Sequence, residues 1–382
     1  MRIREKFVFI LLVIFFIHGC IYLFFPEQIY TSFWAKYIKY VVFVVYFVVT
    51  IKFINWEKFF LVMGIVFSFI MLAYLSHADV SQGAFQGHLN FFLPFFLLAN
   101  GYEIPSKLIK KSIIIVAWIA LFFSFIEYVF LKEFMIFNNH LDTEGFYRII
   151  SIFISSNGAA LMFSFFVIYI VTYSKSLNFG LLLLMLLCVI AIIFTGSKSP
   201  LMLFVLFYGF KYSIPIFSHL KIKRKLFVQL FLCMIIAGII GCVLTSESLL
   251  ELLSLRSYNL GTANVRLEEY AQFGEMLNQH FWAPEIDMVW GSNNITSDST
   301  FLGLWGSFGF WGLILYLLLV IILLVLRRRV SIDKLSFVAA FLLSGFGMKL
   351  SFVWPFSYIF FYILAIKSMK HTGTTFLLKK KI

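Results

Sequence analysis

Three cations in this sequence have the types and placement to hold an anionic ligand. Arg148 stands just before the apolar run 152–173, Lys198 in the turn between the runs 179–194 and 201–217, and Arg266 in the long polar stretch 245–298. Cations at one depth, on the side away from most of the basic residues, suit an anionic ligand such as a lipid pyrophosphate. Arg256 is a further cation of the same stretch. A plainer reading has these cations snorkel to headgroups or pair with Asp142, Glu144 or Glu269.

The elements that must position these residues are membrane helices. Of 382 residues, 62% are hydrophobic and 20% aromatic, and only 13% are charged, about half the share of a soluble domain. With 51 Phe, soluble packing has nowhere to hide the apolar surface. Ten windows have or approach the length that crosses ~30 Å of hydrocarbon as helix: 7–25, 37–54, 59–75, 112–131, 152–173, 179–194, 201–217, 226–244, 301–326 and 352–366. Two shorter windows marked by Gly or Pro, 85–100 and 336–348, bring the expectation to about twelve spans. The fold class expected is therefore an all-α polytopic membrane protein, a single transmembrane domain over 1–382. Its large extracytoplasmic loop, 245–298, lies between spans nine and ten. Within that loop Ser248 to Glu251 matches a capping box, and Leu267, Tyr270, Leu277 and Phe281 recur at helical spacing.

The net charge of +13 raises the question of nucleic acid, and the placement of the charges answers it. With a cytoplasmic N-terminus and twelve spans, the inward segments hold about 23 of the 31 Lys and Arg, from Arg2, Arg4 and Lys6 to Lys379, Lys380 and Lys381. The basic balance thus reports orientation, with both termini cytoplasmic and no nucleic-acid partner. The first span follows a basic start without a small-residue cleavage site and is expected to be a retained anchor.

Cys20, Cys188, Cys233 and Cys242 all fall inside spans without metal-ligand spacing, so neither disulfide nor metal is expected, and no cofactor. Glu285 and Asp287 form an acid pair in what reads as solvated loop, and Asn294 to Thr296 fits a glycosylation sequon that is common by chance. His77, Asp79, Gln82 and His88 are expected to be solvent-exposed. Gly303, Gly306, Gly309 and Gly312 wind a stripe around the tenth span, expected to serve close helix packing. Glu127, at the outer end of its span, fits a site residue and an interfacial acid equally.

Four segments together resemble the bacterial O-antigen polymerase and ligase superfamily. The stretch from Tyr147 and Arg148 to Asn157 is similar to the Arg…Phe…Asn run that opens a central helix there. Thr195, Gly196, Ser197 and Lys198 resemble a Thr-Gly-Ser-Arg turn, with Lys where Arg is usual. Asn264, Val265 and Arg266 resemble the family's loop-Arg helix, and Ser297 to Leu302 followed by Trp305 to Gly312 resembles the motif leading into a Gly-rich span. The four occur in order over residues 147–312.

The resemblance implies a metal-independent, GT-C-like glycosyltransferase of the bacterial inner membrane. It would move a glycan from one polyprenyl-pyrophosphate carrier onto the sugar of another at the periplasmic face. Arg148, Lys198 and Arg266 would hold the pyrophosphate, with Asp298 and Arg266 catalytic and Asn157, Glu268, Glu269, His280 and Arg256 as secondary substrate contacts. Membrane lipids and a chain-length regulator protein are the other partners implied. Ligases of the superfamily carry a His near the start of the span after the large loop, where this chain has Ser297, Asp298 and Ser299; that favours polymerase. Ligase is the nearest alternative, and a flippase or transporter for the same lipid-linked sugars the next. A flippase should show repeat symmetry and polar span interiors, and the sequence has neither.

Overall fold

A computed structural model describes residues 3–18, 33–75, 88–131, 149, 151–153, 156–173, 178–195, 199–218, 299–325, 332–345, 350 and 355–365. Among the described residues the architecture is all-helical, with no strand and one isolated bridge, Ile54 to Asn100. In chain order the helices are α1 (Ile3–Ile17), α2 (Phe33–Thr50), α3 (Trp56–Leu75), α4 (His88–Leu98) and α5 (Ser106–Ile126). They continue with α6 (Ser156–Tyr173), α7 (Phe179–Phe194), α8 (Ser199–Ser218), α9 (Thr300–Val325), α10 (Ile332–Ser344) and α11 (Phe356–Ala365). Each expected window contains helix except 226–244, which lies outside the described residues, as does the loop 245–298. Trp56–Ala73, Ser106–Val129 and Thr300–Leu324 are long and apolar enough to cross a membrane, while His88–Leu98, Asn157–Val171, Phe179–Phe194 and Phe356–Ala365 are shorter apolar helices.

The apolar surface behaves as lipid solvation requires. Phe60, Leu61 and Phe67 on α3 are 62–68% exposed, and Phe179, Leu186 and Ile193 on α7 also point outward. Inside, α6 is buried continuously from Gly158 to Ile170, so it is the central helix. Ala117, Ala120, Ala159, Ala160 and Ala191 let α5, α6 and α7 approach closely, since small side chains replace the hydrophobic drive that lipid removes. Aromatic rings fill the wider gaps. Phe69, Phe91 and Phe308 join α3, α4 and α9 with centroids 5.1–5.2 Å apart, and Phe341 stacks on Phe360 at 4.1 Å between α10 and α11.

The helix ends fall into two groups. At one end, Asn100 Nδ2 donates to Thr50 Oγ1 (2.8 Å), the Gly101 N–H donates to Phe53 O (2.9 Å) and the Asn55 N–H to Ala99 O (3.0 Å). These bonds tie the end of α2 to the loop between α4 and α5. Arg4 lies over the Phe53 ring (5.0 Å), which brings in the start of α1. The same end holds the Lys211–Asp333 ion pair (2.9 Å) and the Lys334 ammonium, 1% exposed, which donates to Leu364 O (2.9 Å). A cation in the last turn of α11 complements the helix dipole and satisfies a terminal carbonyl. Replacing Lys334 with alanine leaves that carbonyl without this donor and opens a void, and should lower the thermal midpoint in detergent by several degrees. Lys334→Met, which keeps the volume, should lose less. This end is basic, as the segments expected to be cytoplasmic are.

The structure corrects one sequence expectation and narrows two others. His88 is 8% exposed, packed against Phe308 (centroids 5.4 Å), because it opens α4 inside the bundle and not a solvated loop; His77, Asp79 and Gln82 lie outside the described residues. The glycine stripe on α9 does more than ease packing. Gly309 adopts φ 69°, ψ 179°, which interrupts the helix, and a Cβ at Gly312 would collide with the Phe308 side chain. Glu127 is fully buried, which removes the interfacial reading.

Candidate functional site

The end opposite the basic loops carries two hydrogen-bonded junctions, and each abuts a residue singled out by its chemistry. The first forms where α5 ends. Its regular turns stop at Ile126, and Glu127–Leu131 continues as a π-helical turn, a wider winding that often marks functional positions. Tyr128 and Val129 stay exposed while the Glu127 carboxylate is enclosed.

Glu127 Oε2 accepts the Ser151 N–H at 2.7 Å, and the Ser151 hydroxyl donates to Ala120 O at 2.7 Å. Ser151 has φ 54°, a left-handed conformation that costs an L-residue roughly 1–2 kcal/mol. Both of its donors are tied to α5, which holds it there. Two residues upstream, the Ile149 N–H donates to Phe194 O (3.4 Å), the last carbonyl region of α7. Tyr128 packs on Phe194 from the α5 side, centroids 5.0 Å apart. Thr195, fully buried, closes α7 by donating its hydroxyl to Ile192 O (2.6 Å). The segment that follows Arg148 and the segment that leads to Lys198 therefore meet at the end of α5.

The second junction lies where α9 begins. Ser299 Oγ accepts the Leu302 N–H (3.4 Å) as an N-cap and also donates to Gly345 O (3.2 Å). The Thr300 N–H donates to the same carbonyl at 2.7 Å. A Cβ on Gly345 would meet Leu342 O at 2.9 Å and Thr300 Cβ at 3.3 Å, so glycine permits this approach. The chain just after Asp298 is thereby anchored to the end of α10.

Helix α8 relates the two junctions, packing along both α6 and α10. The Lys211–Asp333 pair sets its register against antiparallel α10 at the basic end. Twelve residues back from Lys211 is Ser199, and twelve on from Asp333 is Gly345; with equal rise per residue the two stand level at the opposite end. The start of α8 at Ser199 is thus level with the strap holding Ser299.

Of the residues singled out by sequence, Asn157 is the second residue of α6 and is exposed at the same end as Ser151. Arg148, Lys198, Arg266, Asp298, Glu268, Glu269, His280 and Arg256 lie outside the described residues. Sequence reasoning missed Ser151 and Thr195 as elements of this end. No periodicity marks a left-handed serine, although Thr195 stood in the turn motif already quoted. No protein-family model and no curated protein matches this sequence.

Proposed function

We propose that the protein is a bacterial inner-membrane glycosyltransferase with about a dozen spans and both termini cytoplasmic. It would polymerise oligosaccharide repeat units on polyprenyl-pyrophosphate carriers at the periplasmic face. The observation that supports this most is the Ile149–Phe194 junction beside buried Glu127, at the end away from the basic loops. It joins the chain flanking two of the three proposed pyrophosphate ligands.

The chemistry follows from charge. The acceptor sugar hydroxyl attacks the anomeric carbon of the donor glycan. The anomeric C–O bond breaks, and its electron pair stays on the leaving diphosphate. Arg148, Lys198 and Arg266 stabilise that charge in a site where low dielectric strengthens each contact. Asp298 takes the proton from the attacking hydroxyl. Lys198 offers a point charge in place of a bidentate fork, so Lys198→Arg is expected to keep activity.

Alanine at Arg148, Lys198 or Arg266 should each reduce polymerisation about a hundredfold, in line with removing one charge-stabilising donor. Glycan chain length on a gel is the readout. A polymerase defect leaves single repeat units attached to their acceptor, whereas a ligase or flippase defect leaves no attached glycan. Normal ladders from all three variants would remove the assignment. Sidedness has its own test: cysteine placed at Arg148 or Arg266 should label from outside intact spheroplasts, and cysteine at Lys223 should not.

A further inference from the structure

The basic end contains a cavity that the glycan chemistry does not use. A half-enclosed cleft of about 110 Å³ lies between α1, α2, α5, α6 and α11, walled by Leu11, Phe16, Val42, Ile113 and Ile363 among others, almost wholly apolar. A second, smaller cavity shares Tyr46, Leu97 and Tyr362 with it and adds Asn100, Tyr102 and Glu103. The two therefore adjoin, the apolar one in the bundle and the more polar one where the chain turns at the basic end. Along α1, Leu11 and Phe16 stand seven and twelve residues beyond Arg4, about 10 and 18 Å at helical rise. That depth matches one leaflet of a ~30 Å hydrocarbon core.

Among the described residues Glu103 is the one charged residue lining the smaller cavity, but the charge of the surrounding helix end is one-sided. The described chain here carries Arg4, Lys6, Lys52, Lys58, Lys107, Lys110 and Lys111 against Glu5, Glu57 and Glu103. Two of the cations are steadied on rings, Arg4 over Phe53 (5.0 Å) and Lys111 over Phe9 (5.2 Å). Phe53 in turn packs on Tyr102, centroids 5.1 Å apart. Burial first, and the Glu5 carboxylate second, push the Tyr102 phenol above its ordinary pKa against the pull of Arg4, so it remains a hydroxyl donor. An apolar slot one leaflet deep, ending in a tyrosine hydroxyl and excess cations, has the form of a lipid with a negative headgroup.

We propose that this cleft seats one acyl chain of an anionic phospholipid, its phosphate resting against Arg4, Lys107 and Lys110. On the positive-inside reading the lipid belongs to the cytoplasmic leaflet, whose anionic surface attracts such clusters. The site is independent of the glycosyl transfer proposed above and lies at the other end of the bundle.

Native mass spectrometry of the full-length protein, delipidated and titrated with phosphatidylglycerol or phosphatidylcholine, tests it. One phosphatidylglycerol should be retained about tenfold more strongly than phosphatidylcholine, and raising salt should erase that preference without any variant. Lys107→Gln with Lys110→Gln, both at the membrane surface, should also cut the preference about tenfold. Ile113→Trp, which fills the slot, should weaken both lipids, with size-exclusion and a thermal melt reporting its folding. Equal retention of the two lipids, a preference indifferent to salt, or full retention by folded Ile113→Trp would each overturn the site. So would a polyprenyl phosphate that displaces phosphatidylglycerol at equal concentration.

Discussion

Glu127→Ala is expected to reduce chain extension as much as loss of Arg148 does, about a hundredfold, and to lower the unfolding midpoint as well. The carboxylate is fully buried and accepts the Ser151 N–H at 2.7 Å. Removing it strands a buried donor, which costs about 1–3 kcal/mol, and the vacated volume adds to that. The local consequence is larger than the energy. Ser151 holds φ 54° only because its N–H and hydroxyl are both bound to α5, so with one tie gone the Ser151–Phe153 turn can relax to ordinary backbone. Arg148 lies three residues upstream, and a displacement of about 1 Å at a positioned group can cost on the order of a hundredfold in rate. Glu127→Gln keeps both volume and an acceptor oxygen and should retain most of the thermal stability. If Glu127→Gln folds and extends chains, Glu127 is a positioning residue acting through the Ser151 turn. If it folds and does not, the negative charge itself is needed at this end. A Glu127→Ala protein with an unchanged midpoint and a normal glycan ladder would refute the junction as a functional element.

Gly309→Ala should produce the second large effect, on folding first. At φ 69°, ψ 179° the backbone occupies a region that only glycine enters freely, and an L-residue there costs on the order of 1–3 kcal/mol. Relief requires α9 to straighten, which would swing Phe308 out of its contacts with Phe69 and Phe91 and pull Thr300 from Gly345. Membrane accumulation, followed by fluorescence-detected size exclusion, should fall about tenfold or more. Gly64→Ala is the internal comparison. Gly64 lies within α3 with nothing within 4 Å of an added Cβ, so alanine there should be neutral or stabilise by about 1 kcal/mol. If both substitutions behaved alike, the break in α9 would have no structural role.

Hydropathy alone located the elements, because in lipid each spanning segment must satisfy its own backbone and so announces itself as a long apolar run. The window 179–194 coincides with α7, and 301–326 with α9 to within a residue at either end. The grouping of Arg4, Lys52, Lys107 and Lys334 at one end was likewise legible, since basic residues gather in the short segments flanking every second apolar run. Within a run, however, uniform apolarity erases periodicity, so which face is inner and which helix is central had to come from packing. The continuous burial of α6 and the outward Phe60 and Phe67 of α3 are decisions of that kind.

At the candidate site the division is sharper. Residue type and resemblance nominated Arg148, Lys198 and Asp298, but chemistry without proximity does nothing, and proximity depends on hydrogen bonds between segments distant in sequence. Ile149 to Phe194, Ser151 to Glu127 and Thr300 to Gly345 are such bonds. Nothing in the local sequence foretells a serine in left-handed backbone, a π turn that encloses a glutamate, or a helix broken at Gly309. Those conformations are each unfavourable alone and persist because neighbouring helices supply the compensating contacts, which only the assembled bundle contains.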